Sequence, residues 1–230
     1  MKIIWLGHSG FRIEIAGQVL LIDPWLTGNP MFPADKRAEA LAGATHILIS
    51  HGHGDHAGNA VEIAKELNLP ILAVFELAEI LSEATGIEGI AIGRGGTAYL
   101  GDVAVTLVAA SHSSSFPDSG KRGVAGSECG FMIAGEGRKI YFSGDTDIMA
   151  DMDWFGDYHR PDIGIMSAGG VYTMDMAAVA YAAKRYFNFK TLIPCHYRTF
   201  GALEQSADAL KAALPNVEVV EPQVMKAITL

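Results

Sequence analysis

The stretch "HGHGDH", residues 51–56, places three of the eight histidines of the chain and one aspartate within six consecutive positions. Imidazole and carboxylate groups are costly to bury, so such a dense cluster indicates a ligand that the side chains share. His51 and His53 are two residues apart, and in an extended segment such side chains point the same way. Neutral imidazole and carboxylate groups bind zinc, and also iron, manganese or nickel. The stretch therefore predicts a metal site.

Side chains of the same chemistry follow other apolar segments of the chain that are predicted to be strands. The strand "THILIS" ends at His51, "VAVTLVAA" runs into Ser111 and His112, "RKIYFSG" leads to Asp145, and "TLIPC" ends at His196. Layered α/β folds place their sites in the loops at the carboxyl ends of strands. These four strand ends therefore predict one constellation of metal ligands.

The predicted ligands divide into two sets. His112 is the natural third ligand beside His51 and His53. Asp55 and His56 face a different direction and could serve a second metal together with His196. Asp145 has two carboxylate oxygens and could bridge both ions, and it is preferred over Asp147 because it comes first after its strand. Two divalent ions about 3.5–4 Å apart can hold a shared water and lower its pKa, so this arrangement predicts hydrolysis.

The pattern of the remaining chain predicts a layered α/β or α+β fold in a single domain over residues 1–230. Helices are predicted at about 58–67, 76–85, 175–186 and 203–214. Asn59 and Glu62 have the spacing of a capping box for the first of these helices. Gly86 is expected to end the second.

Composition limits the classes of function. The formal net charge is −9 and half of the residues are hydrophobic, so a broad electrostatic grip on nucleic acid is not expected. Cys129 and Cys195 form no CxxC pair and predict no disulfide scaffold, and Cys195 is expected to pack in the core. We recognise no signal peptide and no apolar run of about 20 residues, so a cytoplasmic protein without membrane contact is the expectation.

Three further residues are candidates for roles around the metals. His8 follows an apolar strand and is either a proton donor or substrate contact, or a structural histidine in the "GHSG" turn. Asp23 could accept the second N–H of a ligand histidine, or serve only the turn before Pro24. Arg198 could bind a phosphate or carboxylate of the substrate, and the pair at 121–122 is a weaker candidate. His46 and His159 are expected to be structural or on the surface.

The order H-x-H-x-D-H, a later His, an Asp in "SGDT" and a final His resembles the metallo-β-lactamase superfamily. The segments "WLGHSGF", "LLIDPW", "SHSSS", "YTMD" and "IPCHYRTF" are similar to its small metal-dependent hydrolases, relatives of L-ascorbate-6-phosphate lactonase. The resemblance covers nearly the whole chain and implies an αββα sandwich with a dinuclear site at the edge of two sheets. It implies a first metal on His51, His53 and His112, a second on Asp55, His56 and His196, and Asp145 between them.

The expected activity is that of a dinuclear hydrolase, with zinc as the favoured metal and manganese, iron or nickel also suited. A metal-bound hydroxide would attack an ester, lactone or phosphoester of a small anionic metabolite, and Asp55 or His8 would move a proton. The alternatives are a nuclease or phosphodiesterase, or a non-catalytic metal sensor. The related diiron flavoproteins carry a glutamate at the position of His53, and β-lactamase activity is not expected. A homo-oligomer is left open.

Overall fold

The computed structural model describes residues 1–116 and 123–230, which form two seven-stranded β-sheets and a small two-stranded ribbon. The last strand of the chain returns to the first sheet and pairs with the first strand. In sheet order, the first sheet consists of β16 (Ala227–Thr229), β1 (Lys2–Gly7), β2 (Gly10–Ile15), β3 (Gln18–Ile22), β4 (His46–Leu48), β5 (Ile71–Val74) and β6 (Ile90–Ile92).

The second sheet comes from the other half of the chain and has parallel strands on one side and antiparallel strands on the other. In sheet order, it consists of β15 (Glu218–Val219), β14 (Thr191–Cys195), β13 (Ile163–Ser167), β12 (Arg138–Phe142), β11 (Cys129–Gly135), β8 (Val103–Ala109) and β7 (Thr97–Leu100). The ribbon pairs β9 (Ser115–Phe116) with β10 (Gly123–Val124). Strands β11 and β12 form an antiparallel hairpin.

The helices are short, and along the chain they alternate with groups of strands. They are α1 (Arg37–Leu41), α2 (Gly54–Ala57), α3 (Ala60–Leu67), α4 (Phe75–Thr85), α5 (Met152–Trp154), α6 (Met176–Tyr186) and α7 (Asp208–Ala213). A 3₁₀ turn covers Ala34–Lys36 and a π-helical turn covers Phe155–His159. No helix in the described ranges is long and apolar enough to cross a membrane.

Alternation along the strands shows how the layers pack. On β12, the ring of Phe142 lies 6.2 Å from that of Phe11 on β2, so these two side chains face each other between the sheets. The preceding Tyr141 points the other way and stacks on Phe187, which follows α6. On β2, Arg12 likewise points away from the second sheet and donates to the carbonyl of Ala40 on α1. The sheets therefore pack face to face with helices outside, which confirms the expected αββα sandwich.

Two of the predicted helices differ from the structure at their starts. The chain turns through α2 before α3 begins, and the Asn59 side chain makes no capping bond to α3. Its Oδ1 instead accepts from the backbone N–H groups of Leu26 and Thr27, so the predicted capping box is wrong. The last predicted helix is reduced to α7, because residues 201–207 form turns. The helix predicted from 175 agrees with α6, which Asp175 caps by accepting from the backbone N–H of Ala178.

Strand direction brings the predicted ligands to one edge of the sandwich. Strands β3, β4 and β5 run parallel in the first sheet, and β12, β13 and β14 run parallel in the second. Their carboxyl ends therefore share an edge within each sheet. The loops after β3 and β4 carry Asp23 and residues 51–56, and those after β12 and β14 carry Asp145 and His196.

Candidate metal centre

Local structure divides the "HGHGDH" stretch into two parts. Residues 51–53 are irregular after β4, and His53 has the extended backbone conformation of a residue that precedes a helix, with φ −64° and ψ 150°. Asp55 and His56 lie on the single turn of α2. The change from extended chain to helix sends the two halves of the stretch toward different ligand groups.

His51, His53 and His112 form the first group, which we call the trihistidine set. The Nε2 of His51 lies 3.0 Å from the Nδ1 of His53. The ring of His112 lies 5.2 Å from that of His51 and 5.1 Å from that of His53. One nitrogen from each ring lies within 4.8 Å of the other two, which is close enough for the three residues to hold one ion.

Asp55, His56 and His196 form the second group, which we call the Asp55 set. One ligand atom from each of them, and one from His8, all lie within 4.8 Å of one another. The Nε2 of His196 is 3.8 Å from the Oδ2 of Asp55, and the Nε2 of His56 is 4.0 Å from the same oxygen. His8 thus lies beside this group. The sequence left two roles open for it, a proton donor or substrate contact, and a structural histidine in a turn.

Asp145 lies between the two sets. Its Oδ2 is 3.2 Å from the Nε2 of His56, 3.1 Å from that of His196 and 3.7 Å from that of His112. Asp147 is exposed instead, and its Oδ1 accepts from the backbone N–H of Ile148. The structure therefore places Asp145, and not its rival, at the position from which one carboxylate reaches both sets.

Asp23 is fully buried behind the ligands and fixes one residue of each set. Its Oδ2 accepts from the Nδ1 of His56 at 2.8 Å and from the hydroxyl of Ser50 at 2.6 Å, and its Oδ1 accepts from the backbone N–H of Ser50. The Ser50 hydroxyl in turn lies 3.0 Å from the Nδ1 of His51. Such partners set the tautomer and ring orientation of metal-binding histidines.

His8 links Asp55 to Thr199. The Nε2 of His8 lies 3.0 Å from the Oδ2 of Asp55, and its Nδ1 lies 2.8 Å from the hydroxyl of Thr199. Burial lowers the pKa of His8 to about 4, although the hydrogen bond to Asp55 opposes the shift, so its ring is neutral near pH 7. A carboxylate only accepts, so Nε2–H donates to Asp55 and the Thr199 hydroxyl donates to Nδ1.

Electrostatics keep the trihistidine set uncharged. Burial lowers the pKa of His51, His53 and His112, so their nitrogens carry free lone pairs at neutral pH. His56 behaves differently. Burial lowers its pKa, but Asp145 and Asp23 outweigh burial, and the pKa of His56 is raised well above its usual range. A metal at His56 would therefore displace a proton from Nε2.

The residues present fit a bound metal. The Nε2 of His56 and the Oδ1 of Asp145 are buried and have no hydrogen-bond partner among the described residues. Unpaired buried polar atoms are unfavourable, and native structures rarely keep them without a reason. The donors are imidazole nitrogens and carboxylate oxygens, which suit zinc and neighbouring transition metals. A divalent ion at this site would pair with these atoms. Its charge would also compensate the two buried carboxylates, those of Asp23 and Asp145.

Backbone strain also concentrates at this edge. His8, Asp23 and His196 have φ angles of 53°, 45° and 58°, in the left-handed region that non-glycine residues rarely adopt. Each such residue costs about 1–3 kcal/mol and persists where the surrounding structure demands it. At all three positions, the chain leaves a strand and turns its side chain into the cluster.

Arg198, a basic residue predicted near the site, does not lie among the predicted ligands. Arg198 is exposed, and its guanidinium lies 5.7 Å from the ring centre of Tyr197. It lines a cavity of about 690 Å³ with Trp5, Met31 and Lys211, and none of the predicted ligands lines that cavity. Its role toward a substrate stays a prediction. The pair Lys121 and Arg122 lies outside the described residues.

The surroundings of the remaining candidate residues fit structural roles. Cys195 is buried, as expected for packing. His46 is half-buried, with its Nδ1 3.1 Å from the Thr45 hydroxyl, and His159 ends the π-helical turn rather than a loop. Sequence reasoning missed Ser50 and Thr199. Ser50 stands directly before His51 at the end of an apolar strand, which was a usable signal, whereas nothing local marks Thr199.

The αββα sandwich, with predicted metal ligands from both sheets at one edge, defines the class of protein: a metal-dependent hydrolase. Residues 2–196 match the family model described as the beta-lactamase superfamily domain. A UPF0173 metal-dependent hydrolase of Cereibacter sphaeroides is 65% identical over 98% of both chains. One of Paracoccus denitrificans is 59% identical over 100% of both.

Among solved structures, Igni18, a metallo hydrolase of the archaeon Ignicoccus hospitalis, is 28% identical with a TM-score of 0.87. The alignment covers 100% of this chain and 97% of Igni18. The protein belongs to the β-lactamase superfamily, among the UPF0173 metal-dependent hydrolases. This confirms the enzyme class that the sequence predicted.

Proposed function

We propose that the protein is a dinuclear hydrolase that cleaves an ester, lactone or phosphoester bond of a small molecule. One observation carries this proposal: the Oδ2 of Asp145 lies within 3.7 Å of ligand nitrogens from both sets, namely those of His56, His196 and His112. A single carboxylate within reach of two ligand groups supports a pair of ions that share it. Bound together, two ions would acidify a water and stabilise the charge on the reacting oxygen.

The ligand sets favour zinc, with manganese, iron and nickel as further candidates. The trihistidine set offers three nitrogens, and the Asp55 set offers two nitrogens and a carboxylate. All of these types of atom bind zinc, and the neutral state of the trihistidine set at pH 7 supports binding without a proton cost there. The choice among the four metals is part of the proposal.

Asp55 is the residue best placed to handle a proton. Its side chain is 33% exposed, whereas His8 is fully buried and adjoins it at 3.0 Å. Burial alone would raise the pKa of Asp55, but the hydrogen bond from His8 and the nearby His56 outweigh it and lower that pKa below its usual range. Asp55 is therefore ionised at neutral pH. Its role in proton transfer is supported by its position at the open side of the cluster and not by its basicity, which the lowered pKa reduces. His8 supports Asp55 from behind.

The substrate is proposed to be a small metabolite, and its expected anionic character depends on Arg198. That side chain is exposed, but the cavity it lines is separate from the ligands. The same composition that disfavours nucleic acid, a net charge of −9, supports a small molecule over a nuclease substrate.

The test is elemental analysis of protein that has never met a chelator, combined with esterase, lactonase and phosphodiesterase assays. We expect about two ions per chain in the wild type. Asp145→Ala should lose metal and hydrolysis together. Asp147→Ala is the matched control, because this exposed carboxylate lies two residues away and contacts no ligand. Two ions without any hydrolysis would contradict the enzyme mechanism, and no tightly bound metal would contradict the site itself.

A further inference from the structure

The two ligand sets differ in how firmly their side chains are held. In the Asp55 set, His8 holds Asp55 at 3.0 Å and Asp23 holds His56 at 2.8 Å. His196 is 2% exposed, and its ring packs on that of His8 with 3.9 Å between the centres. Asp55 and His56 are therefore each held by a hydrogen bond with a buried neighbour before any ion arrives. His196 is held by packing, because its Nδ1 has no hydrogen-bond partner among the described residues.

In the trihistidine set, only His51 has a close hydrogen-bond partner outside the candidate ligands among the described residues, and His53 contacts His51 itself at 3.0 Å. Ser50 contacts the Nδ1 of His51, but His53 is half-buried and its Nε2 has only a long 3.4 Å contact with the exposed Ser113. The side chain of His112 is 19% exposed, and its ring makes no hydrogen bond within the described part of the chain beyond its proximity to Asp145. Two of the three ligands must therefore be ordered when an ion binds.

Ordering ligands at the moment of binding costs conformational entropy, and ligands that are already ordered avoid this cost. Partners behind the ligands matter for the same reason, and their removal commonly weakens metal binding by about 10–100-fold. The Asp55 set has two such partners in direct contact, namely Asp23, which also reaches the other set through Ser50, and the pair His8–Thr199. The trihistidine set has the indirect contact through Ser50.

We propose that the Asp55 set binds the first ion and the trihistidine set the second, and that Thr199 is a positioning residue for the first site. This inference rests on the proposed dinuclear centre. Thr199 acts through His8: its hydroxyl donates to Nδ1 and so keeps the Nε2–H directed at the Oδ2 of Asp55. Without the hydroxyl, His8 can carry its proton on Nδ1 and turn a lone pair toward the carboxylate, which releases Asp55.

The first experiment is a zinc titration of metal-depleted protein against a chromophoric chelator of known affinity. Wild type should show two dissociation constants at least about tenfold apart. His53→Ala should lose the weaker binding step and keep the tighter one within about threefold. His53 is half-buried at the rim, so its removal leaves the core intact. Loss of the tighter step in His53→Ala, or two equal constants in wild type, would overturn the proposed order.

The second experiment compares two variants at one position. Thr199→Val keeps the shape and removes the hydroxyl, and the tighter step should weaken by about 10–100-fold while the weaker step stays within about threefold. Thr199→Ser keeps the hydroxyl and should behave as wild type. Circular dichroism and thermal melts of the metal-depleted variants check that the fold is retained. If Val and Ser variants bind zinc alike, Thr199 has no positioning role.

These measurements separate this inference from the proposed function. A chain that binds fewer than two ions would contradict the dinuclear centre. A chain that binds two ions in the opposite order would contradict only the inference. Hydrolysis is not needed for either readout, so a missing substrate leaves the binding order fully tested.

Discussion

Replacing Asp23 with asparagine should weaken both halves of the metal centre at once. The carboxylate accepts three hydrogen bonds: the backbone N–H and hydroxyl of Ser50, at 2.8 and 2.6 Å, and the Nδ1 of His56 at 2.8 Å. An amide has one accepting oxygen and one donating nitrogen. Asparagine therefore cannot accept all three bonds in either orientation.

The two orientations of the amide have different costs. With its nitrogen at the position of Oδ1, it faces the Ser50 N–H, and one buried donor loses its partner at about 1–3 kcal/mol. With its nitrogen at the position of Oδ2, it faces the Nδ1 of His56. The amide cannot accept from Nδ1, so His56 loses the Nδ1 proton and keeps the one on Nε2, the atom that would bind the metal. The Ser50 hydroxyl also turns, which loosens its contact with His51.

We expect zinc affinity to fall about 10–100-fold, which is about 1.4–2.8 kcal/mol. The free energy of unfolding of the metal-depleted protein should fall by about 1–3 kcal/mol. Chelator competition measures the first quantity and urea denaturation the second. Asp102→Asn is the control, because Asp102 is exposed in the turn between β7 and β8. Unchanged zinc affinity in Asp23→Asn would refute this account of the buried carboxylate.

Three further predictions follow from the same structure. Gly169→Ala should lower the free energy of unfolding by about 1–3 kcal/mol and weaken metal binding, because its Cβ would lie 2.1 Å from the carbonyl oxygen of His196. Gly93→Ala is the control, because a Cβ at Gly93 meets open space. Equal melting temperatures of the two variants would contradict the prediction. Cys129 and Cys195 are buried, and burial raises the pKa of both thiols. A thiol reagent at pH 8 should therefore label them only after denaturation. Rapid labelling of the folded protein would contradict this prediction. Chelator treatment should lower the melting temperature, because an ion bound only by the native state stabilises it by mass action, and re-addition of zinc should restore the melt.

The side chains that gather at the candidate metal site could be predicted from the sequence because metal binding leaves a local signature. The residues 51–56, the strand ends before His112, Asp145 and His196, and the order of these residues along the chain predicted the members of both sets. Strand alternation likewise predicted that His51 and His53 lie together, and their nitrogens are 3.0 Å apart. The roles of these residues as ligands stay predictions until metal is measured.

Local pattern failed where a side chain had a better partner elsewhere. Asn59 and Glu62 have capping-box spacing, yet Asn59 binds the backbone at 26–27, more than 30 residues away in the chain. Arg198 follows a predicted ligand by two residues, and a φ of 67° turns the chain there, so that its side chain lines a cavity that none of the predicted ligands lines; its substrate role stays a prediction. Neither outcome is encoded in the neighbouring sequence.

The sequence by itself determined a layered α/β or α+β class and the candidate metal-binding side chains, because hydrophobic periodicity and ligand chemistry are local properties. The αββα sandwich came from the resemblance to the superfamily. Only the tertiary structure decided which groups stand behind the ligands. Asp23, Ser50, His8 and Thr199 meet the cluster because parallel strands from both sheets end at one edge, which brings His8 and Thr199 within 2.8 Å across 191 positions of sequence. Contacts of this kind depend on how the sheets pack, and no spacing along the chain specifies them.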